Sequence, residues 1–438
     1  MATRVAYMEK RIEELGKSNF LKFTMLAVLF SYFYNLAVFN YSITGNNELR
    51  LYDFLGLLIL FLSFQYKSVL LWFIQQQKFT NYLWIFMKWC MFMMIFTFFI
   101  SYLNGRLTWI LRTTLFMYHF LTFYFSSLFF LILMRNVKIL RFFIYAHIIL
   151  IIVATVIVLM QHFGAVAYLW SELDRRAYGG FLSGILGPNK IVLGMVTMIS
   201  AITFVGLFLQ KGLRINKILL IAGIVFALIG LGLSGSRTSY LGILVFLLYL
   251  AVRSTGKFIY ISIVMGIVIF GLVSYDSEIF SMVTNVFEGR VVNKISDPSL
   301  IAEGDVDQLY EDLGSGRKNL SLRYIDYLLE NVYVVPFGSG FNNFILVGYS
   351  AHNIYLTLIN EVGLLGLFFY VRWLLSYFAI RFIRFKFLGI SLRGLVFAMM
   401  VTLLFGEQLY VYRPVFAILG LFLFATATLL SPRYYKKI

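Results

Sequence analysis

The sequence predicts an all-α polytopic membrane protein, with about twelve transmembrane helices and one large extracytoplasmic loop between helices 9 and 10. Composition is the first reason: the 438 residues are 61% hydrophobic and only 13% charged, outside the range of soluble globular domains. The second is length, because the apolar residues fall into separate runs of roughly 20, enough to cross a hydrocarbon core of about 30 Å. The third is charge placement. Lys and Arg gather in alternate connections, as insertion with basic loops on the cytoplasmic side requires.

Residues 1–19 mix acids and bases, as in "MEKRIEELGK", and read as a cytoplasmic N-terminal segment. The segment is too long and too mixed in charge for a signal-peptide start, and no small-residue cleavage site follows the first apolar run, which is therefore read as an uncleaved anchor. Nine spans are expected within 20–275, near 20–44, 51–66, 82–103, 107–134, 139–163, 190–209, 217–233, 238–252 and 258–275. Three more are expected within 352–431, near 352–375, 394–412 and 414–431, before a cytoplasmic tail at 432–438. With the N-terminus cytoplasmic, every inner connection is basic: 67–78, "RNVK", "QKGLRINK", "RSTGK", "RFIRFK" and the tail. The outer stretch 276–351 instead holds 11 of the 20 acidic residues. The net charge of +17 is thus an insertion signal and an attraction to anionic membrane lipid, and it needs no nucleic-acid partner. The single cysteine, Cys90, lies in an apolar run, so no disulfide framework, metal-ligand spacing or redox pair is present.

Residues 276–351 form the one sizeable extramembrane piece. Its acidic section from Glu303 to Asp312 lacks apolar periodicity and is expected to be mobile. After it, Ser315 can cap a helix on which Leu320, Tyr324, Ile325, Leu328 and Val332 recur at helical spacing. That helix is expected to be amphipathic and to stop at Pro336 and the "GSG" turn of 338–340.

Several charges on the outer side are not explained by insertion. Arg237, in "LGLSGSRTSYLG", sits at a sharp reversal between two apolar helices. It can snorkel to headgroups, or hold phosphate oxygens with its planar fork beside the backbone N–H groups around Gly235 and Ser236. Arg317, in "SGR", repeats that local chemistry. Arg290 and Arg323 lie in the same loop, where surface ion pairs with nearby acids explain them equally well. Arg175 and Arg176 precede a Gly-rich turn and a helix start near Pro188 and Asn189, whose free N–H groups would favour an anion. His119, His147 and His162 lie within or at the edge of spans and read as histidines bonded to neighbouring helices. His352 differs: it stands at the outer start of a helix, with Asn353, Thr357 and Asn360 as one polar stripe. The positive end of the helix dipole there disfavours protonation and keeps an imidazole available as a base.

These stretches carry a resemblance. "LSGSRTSYLG", a long outer loop with "SGR" and "PFGSGF", then "AHNIYLTLINEVGLLG" resemble the O-antigen ligase and Wzy-type polysaccharide polymerase superfamily. The superfamily's histidine motif is met by His352, Asn353, Gly363 and Gly366, and "RAYGGFLSGILGPNK" is similar to its Arg- and Gly-rich turn. The resemblance implies a GT-C-like helical fold in the bacterial cytoplasmic membrane. It also implies metal-independent, inverting glycosyl transfer without a cofactor, on the extracytoplasmic side, from a glycan on undecaprenyl diphosphate. Carried onto this sequence, Arg237 and Arg317 would bind the diphosphate and His352 would deprotonate the acceptor hydroxyl. Glu407, in "LFGEQLYVYRP", is a candidate for an acidic residue that the superfamily often carries near the outer face; with Arg413 it also reads as an ion pair. The expected function is a repeat-unit polymerase for O-antigen, capsule or exopolysaccharide, working with chain-length regulator and flippase proteins. The alternatives are a ligase that transfers glycan to lipid A core and a flippase for lipid-linked glycan.

Overall fold

The computed structural model describes residues 2–40, 48–171, 175, 181–275, 277–288, 317–343, 351–410 and 416–434. Among them the chain is almost wholly helical. It begins with α1 (Ala2–Gly16) and α2 (Asn19–Phe33), then a hairpin of β1 (Ala37–Asn40) and β2 (Glu48–Arg50). Five helices follow: α3 (Leu51–Gln65), α4 (Lys67–Gln76), α5 (Lys78–Leu103), α6 (Leu107–Leu133) and α7 (Val137–His162). Next come α8 (Lys190–Leu209), α9 (Lys217–Ser234), α10 (Arg237–Arg253), α11 (Thr255–Tyr275) and α12 (Ser277–Phe287). The loop contributes α13 (Arg317–Glu330) and α14 (Val334–Phe337), and α15 (Ile354–Ser376), α16 (Lys386–Thr402) and α17 (Phe416–Leu430) complete the bundle.

Eight of these helices are long and apolar enough to cross a bilayer, or nine if α3 and α4, bent by 85° at their junction, count as one span. The protein is therefore a multi-pass membrane protein, although fewer described helices meet that test than the twelve expected. The first apolar run explains part of the difference. Helix α2 ends at Phe33, because the next residues turn into the hairpin and Asn35 bonds the backbone of a distant turn, its N–H to Ile185 O at 2.8 Å and its amide to Leu186 O at 3.0 Å. The expected inner connection 67–78 is largely the helix α4. The eleventh run is displaced too: α16 starts at Lys386, and past Thr402 a 3-10 turn over Leu403–Phe405 leads to Gly406, so Glu407 lies in a turn and not on a helix.

The core is α8, buried from Val192 through Leu209. It packs on α9, α16 and α17, and small residues allow close approach: Gly206 lies on Ser391 and Gly230 on Thr197. Helix starts are capped by asparagine, with Asn136, Asn189, Asn216 and Asn353 each accepting from a backbone N–H two residues on. Outward faces stay apolar, as with Phe92, Ile95, Phe96 and Phe99 on α5. In a bilayer that stripe meets acyl chains at no hydrophobic cost.

The loop helix differs from its expected form. Ser315 lies outside the described residues, α13 ends at Glu330, and Pro336 falls inside the short α14. Tyr324 and Leu328 are buried, but Ile325 and Val332 are 39% and 65% exposed. The inward face is thus narrower than the spacing suggested. Tyr324→Asp is expected to undock α13, raising protease sensitivity of the loop, because it buries a carboxylate, whereas Ile325→Asp leaves the loop as resistant as the parent. Equal sensitivity of the two variants would contradict this packing.

Candidate functional site

Three helix ends meet at one end of the bundle. Helices α9 and α10 reverse at Gly235, whose φ of 59° is the left-handed conformation such a tight turn needs. Ser236 then caps α10, its carbonyl accepting from the N–H groups of Ser239 and Tyr240 at 3.0 Å each. Arg237 follows as the first residue of α10 and is half-buried. The start of α8 stands beside this reversal, since Gly194 packs on Ser236 and Ser239. The "GPNK" turn and the "GSR" turn, read separately in the sequence, are therefore neighbours.

His352 begins the second end. It is half-buried and holds a φ of 50°, a left-handed conformation that few residues other than glycine adopt, histidine among those that do so more often. Two neighbours fix it. Asn353 caps α15 by accepting from Tyr355 N at 3.0 Å and Leu356 N at 3.3 Å, and the Ala351 carbonyl accepts from the Ser321 hydroxyl of α13 at 3.5 Å. Arg317 stands one turn before Ser321, at the start of that same helix.

The end of α16 lies between these two helix starts. Gly242 of α10 packs on Thr402, while the Tyr355 hydroxyl of α15 donates to Met400 O at 2.7 Å. Glu407, in the turn beyond, is buried and accepts a hydrogen bond from the Thr357 hydroxyl. Arg237, His352, Glu407 and the helix carrying Arg317 thus gather at one end of the membrane-spanning bundle.

Other expected site residues are placed differently. Arg323 is on α13 and exposed, and Arg175 is exposed next to a stretch that is not described. Arg290, Arg176, Arg413 and the acidic section from Glu303 to Asp312 lie outside the described residues, as does the side chain of Arg317. His147 and His119 are engaged with other helices: His147 Nε2 meets Ser200 Oγ at 2.8 Å, and His119 Nε2 pairs with Asp53. Among the described residues no three His, Cys, Asp or Glu side chains group as a metal ion would need.

One feature of this end has no counterpart in the sequence reading. Helix α15 breaks at Gly363, with φ 71° and ψ 178°. The break frees carbonyls of the preceding turn, and the end of the outer loop takes them up. Ser339 N and Oγ donate to Asn360 O at 2.7 and 2.9 Å, and Gly340 N donates to Glu361 O at 2.9 Å. The Trp89 indole of α5 donates to Val362 O at 2.8 Å. Glu361, fully buried, accepts from Asn342 N at 2.7 Å and from the Tyr410 hydroxyl at 2.8 Å. A carboxylate inside an apolar span was the available signal for this network. Gly363 lies against the backbone of Pro336 and Phe337 in the short α14, and Gly366 faces α5 at Trp89.

Residues 222–371, about one third of the chain, match the family model described as O-antigen ligase. Those residues belong to the O-antigen ligase family. No curated protein matches the chain. The O-antigen ligase domain runs from within α9 into α15, so it holds Arg237, Arg317, His352 and the Gly363 break, while Arg175, Arg176 and Glu407 lie outside it.

Proposed function

We propose that this protein is a polysaccharide repeat-unit polymerase, an inverting glycosyltransferase that moves a glycan from undecaprenyl diphosphate to a lipid-linked acceptor at the outer face of the bacterial cytoplasmic membrane. One observation carries the reading: the O-antigen ligase domain contains both Arg237 and His352, and the start of α10 and the start of α15 flank the same end of α16. Cation and base at a single interface suit chemistry there better than a path of charges through the bilayer, which a flippase would need. The chain orientation is that of the basic inner connections, with both termini cytoplasmic.

In this reaction His352 takes the proton from the acceptor hydroxyl as its oxygen bonds the anomeric carbon from the face opposite the leaving group. The anomeric carbon–oxygen bond breaks, configuration inverts, and undecaprenyl diphosphate departs. Its developing charge is met by Arg237 and by Arg317, with Arg290, Arg323, Arg175 and Arg176 as further cations of the same face. Glu407, held by Thr357, fixes the first turns of α15 against the end of α16. No metal enters: guanidinium groups perform the charge stabilisation that a divalent cation supplies elsewhere.

A ligase reading also has an observation behind it, since the matched family model bears that description. Purified protein given lipid-linked repeat units in the presence of EDTA separates the two. A ladder of longer glycans supports the polymerase; transfer only to added lipid A core supports the ligase, and chelator inhibition reversed by Mg²⁺ or Mn²⁺ removes the arginine-only account.

Arg237→Lys tests the grip on phosphate. It keeps the charge at the start of α10 and removes the planar fork, so elongation is expected to fall at least tenfold with expression unchanged. A snorkelling anchor would tolerate the change, and full activity would return Arg237 to that role.

A further inference from the structure

The far end of the bundle, where α15 finishes, holds a basic cavity that the proposed glycosyl transfer does not use. It has a volume of about 470 Å³. Lys78 from the start of α5, Arg381 and Arg384 from the α15–α16 connection, and Arg433 from the 3-10 turn Ser431–Tyr434 after α17 all line it. No acidic residue lines it among the described residues. Insertion bias accounts for cations at this end but not for four of them, from three separate segments, around one concavity. The wall between them is aromatic, from Phe79, Phe382 and Phe385. Ile383, 98% exposed between Arg381 and Arg384, places an apolar side chain at the rim.

We propose that this cavity is a binding site for an anionic phospholipid headgroup, and that the headgroup carries two phosphates, as in diphosphatidylglycerol. The ends of membrane spans lie at headgroup depth, so the site meets lipid phosphate without any soluble ligand. Four cations match a ligand with two negative charges better than one with a single charge, and would gain nothing from a zwitterion. Guanidinium forks hold phosphate oxygens in pairs, and Arg433 is already oriented by its Nη2 bond to Gln77 Oε1 at 3.2 Å. The phenyl wall and Ile383 accept the glycerol and first acyl carbons, which free phosphate lacks.

Native mass spectrometry of the full chain in mild detergent tests this, with titrations of diphosphatidylglycerol, phosphatidylglycerol, phosphatidylethanolamine and inorganic diphosphate. The expected order of retention is diphosphatidylglycerol, then phosphatidylglycerol, with phosphatidylethanolamine weakest. Arg381→Gln with Arg384→Gln, both exposed and remote from the core, should weaken diphosphatidylglycerol binding roughly 10- to 30-fold at an unchanged melting temperature. Lys138→Gln with Lys211→Gln removes the same charge from exposed positions at the same end but outside the cavity, and should weaken it less than about threefold. Equal loss in both double variants, no loss in the arginine variant, equal retention of phosphatidylethanolamine, or displacement of lipid by an equal concentration of inorganic diphosphate would each overturn the proposal.

Discussion

Replacing His352 by alanine is expected to lower elongation by roughly 10²–10⁴-fold, the range that general-base assistance supplies, while membrane insertion and donor binding stay near the parent level. A sugar hydroxyl is a poor nucleophile until its proton is withdrawn, which is the role proposed for the imidazole. Its backbone, with a φ of 50°, lies between the Asn353 cap on one side and the Ser321 contact with Ala351 on the other. Alanine can keep that backbone, so a large loss of rate with normal expression and normal donor retention would isolate the imidazole itself. Near-parent elongation in His352→Ala would make the histidine structural.

Gly363→Ala is expected to be strongly destabilising. With φ 71° and ψ 178°, residue 363 occupies a region open in practice only to glycine, where a side chain costs about 1–3 kcal/mol before any contact is counted. A Cβ there would also lie within 2.5 Å of the Phe337 Cα, and backbone cannot rotate out of the way as a side chain can. Moving Phe337 displaces Ser339 and Gly340 and strips the Asn360 and Glu361 carbonyls of their donors, at about 1–3 kcal/mol for each buried group left bare. Gly366→Ala is the matched control. Its nearest neighbours would be side-chain atoms of Val362 and Trp89, so it carries a clash but neither the left-handed backbone nor the backbone neighbour of Gly363. Thermal unfolding in detergent should show a fall of several degrees or more for Gly363→Ala and a smaller one for Gly366→Ala, and the reverse order would refute the account of the break.

Much of the bundle was legible because apolar length and charge placement act locally. The run at 190–209 corresponds residue for residue to α8, and the reversal at Arg237 follows from Gly235 alone. Other features were hidden because their causes lie far away in the chain. Nothing near Phe33 announces that Asn35 will bond Ile185 and Leu186, about 150 residues on, and so end α2 early. Likewise, glycine is common in membrane helices, so Gly363 reads as a packing residue until the Trp89 and Ser339 donors are in view. In the loop the spacing placed Tyr324 and Leu328 on the buried face of α13, but burial there depends on the distant surface it meets: Ile325 stays exposed, as does Val332 beyond the helix end. Within the candidate site, Arg237 was visible as a charge out of place and His352 as an imidazole at the start of a helix. Glu361 is a carboxylate in an apolar run, but the break at Gly363 and the approach of Asn342 and Tyr410 to it have no local signature.

The break in α15 also bears on biogenesis. A continuous helix enters the bilayer with its backbone already satisfied and can wait there for partners, but a span that leaves the carbonyls of Asn360, Glu361 and Val362 turned away from its own N–H groups cannot. Those oxygens find donors on α5 and on the closing residues of the outer loop, so α15 is complete as a membrane segment only once the polypeptide emitted just before it has folded back against it. Insertion and tertiary docking, separable steps for most spans, are for this one the same step.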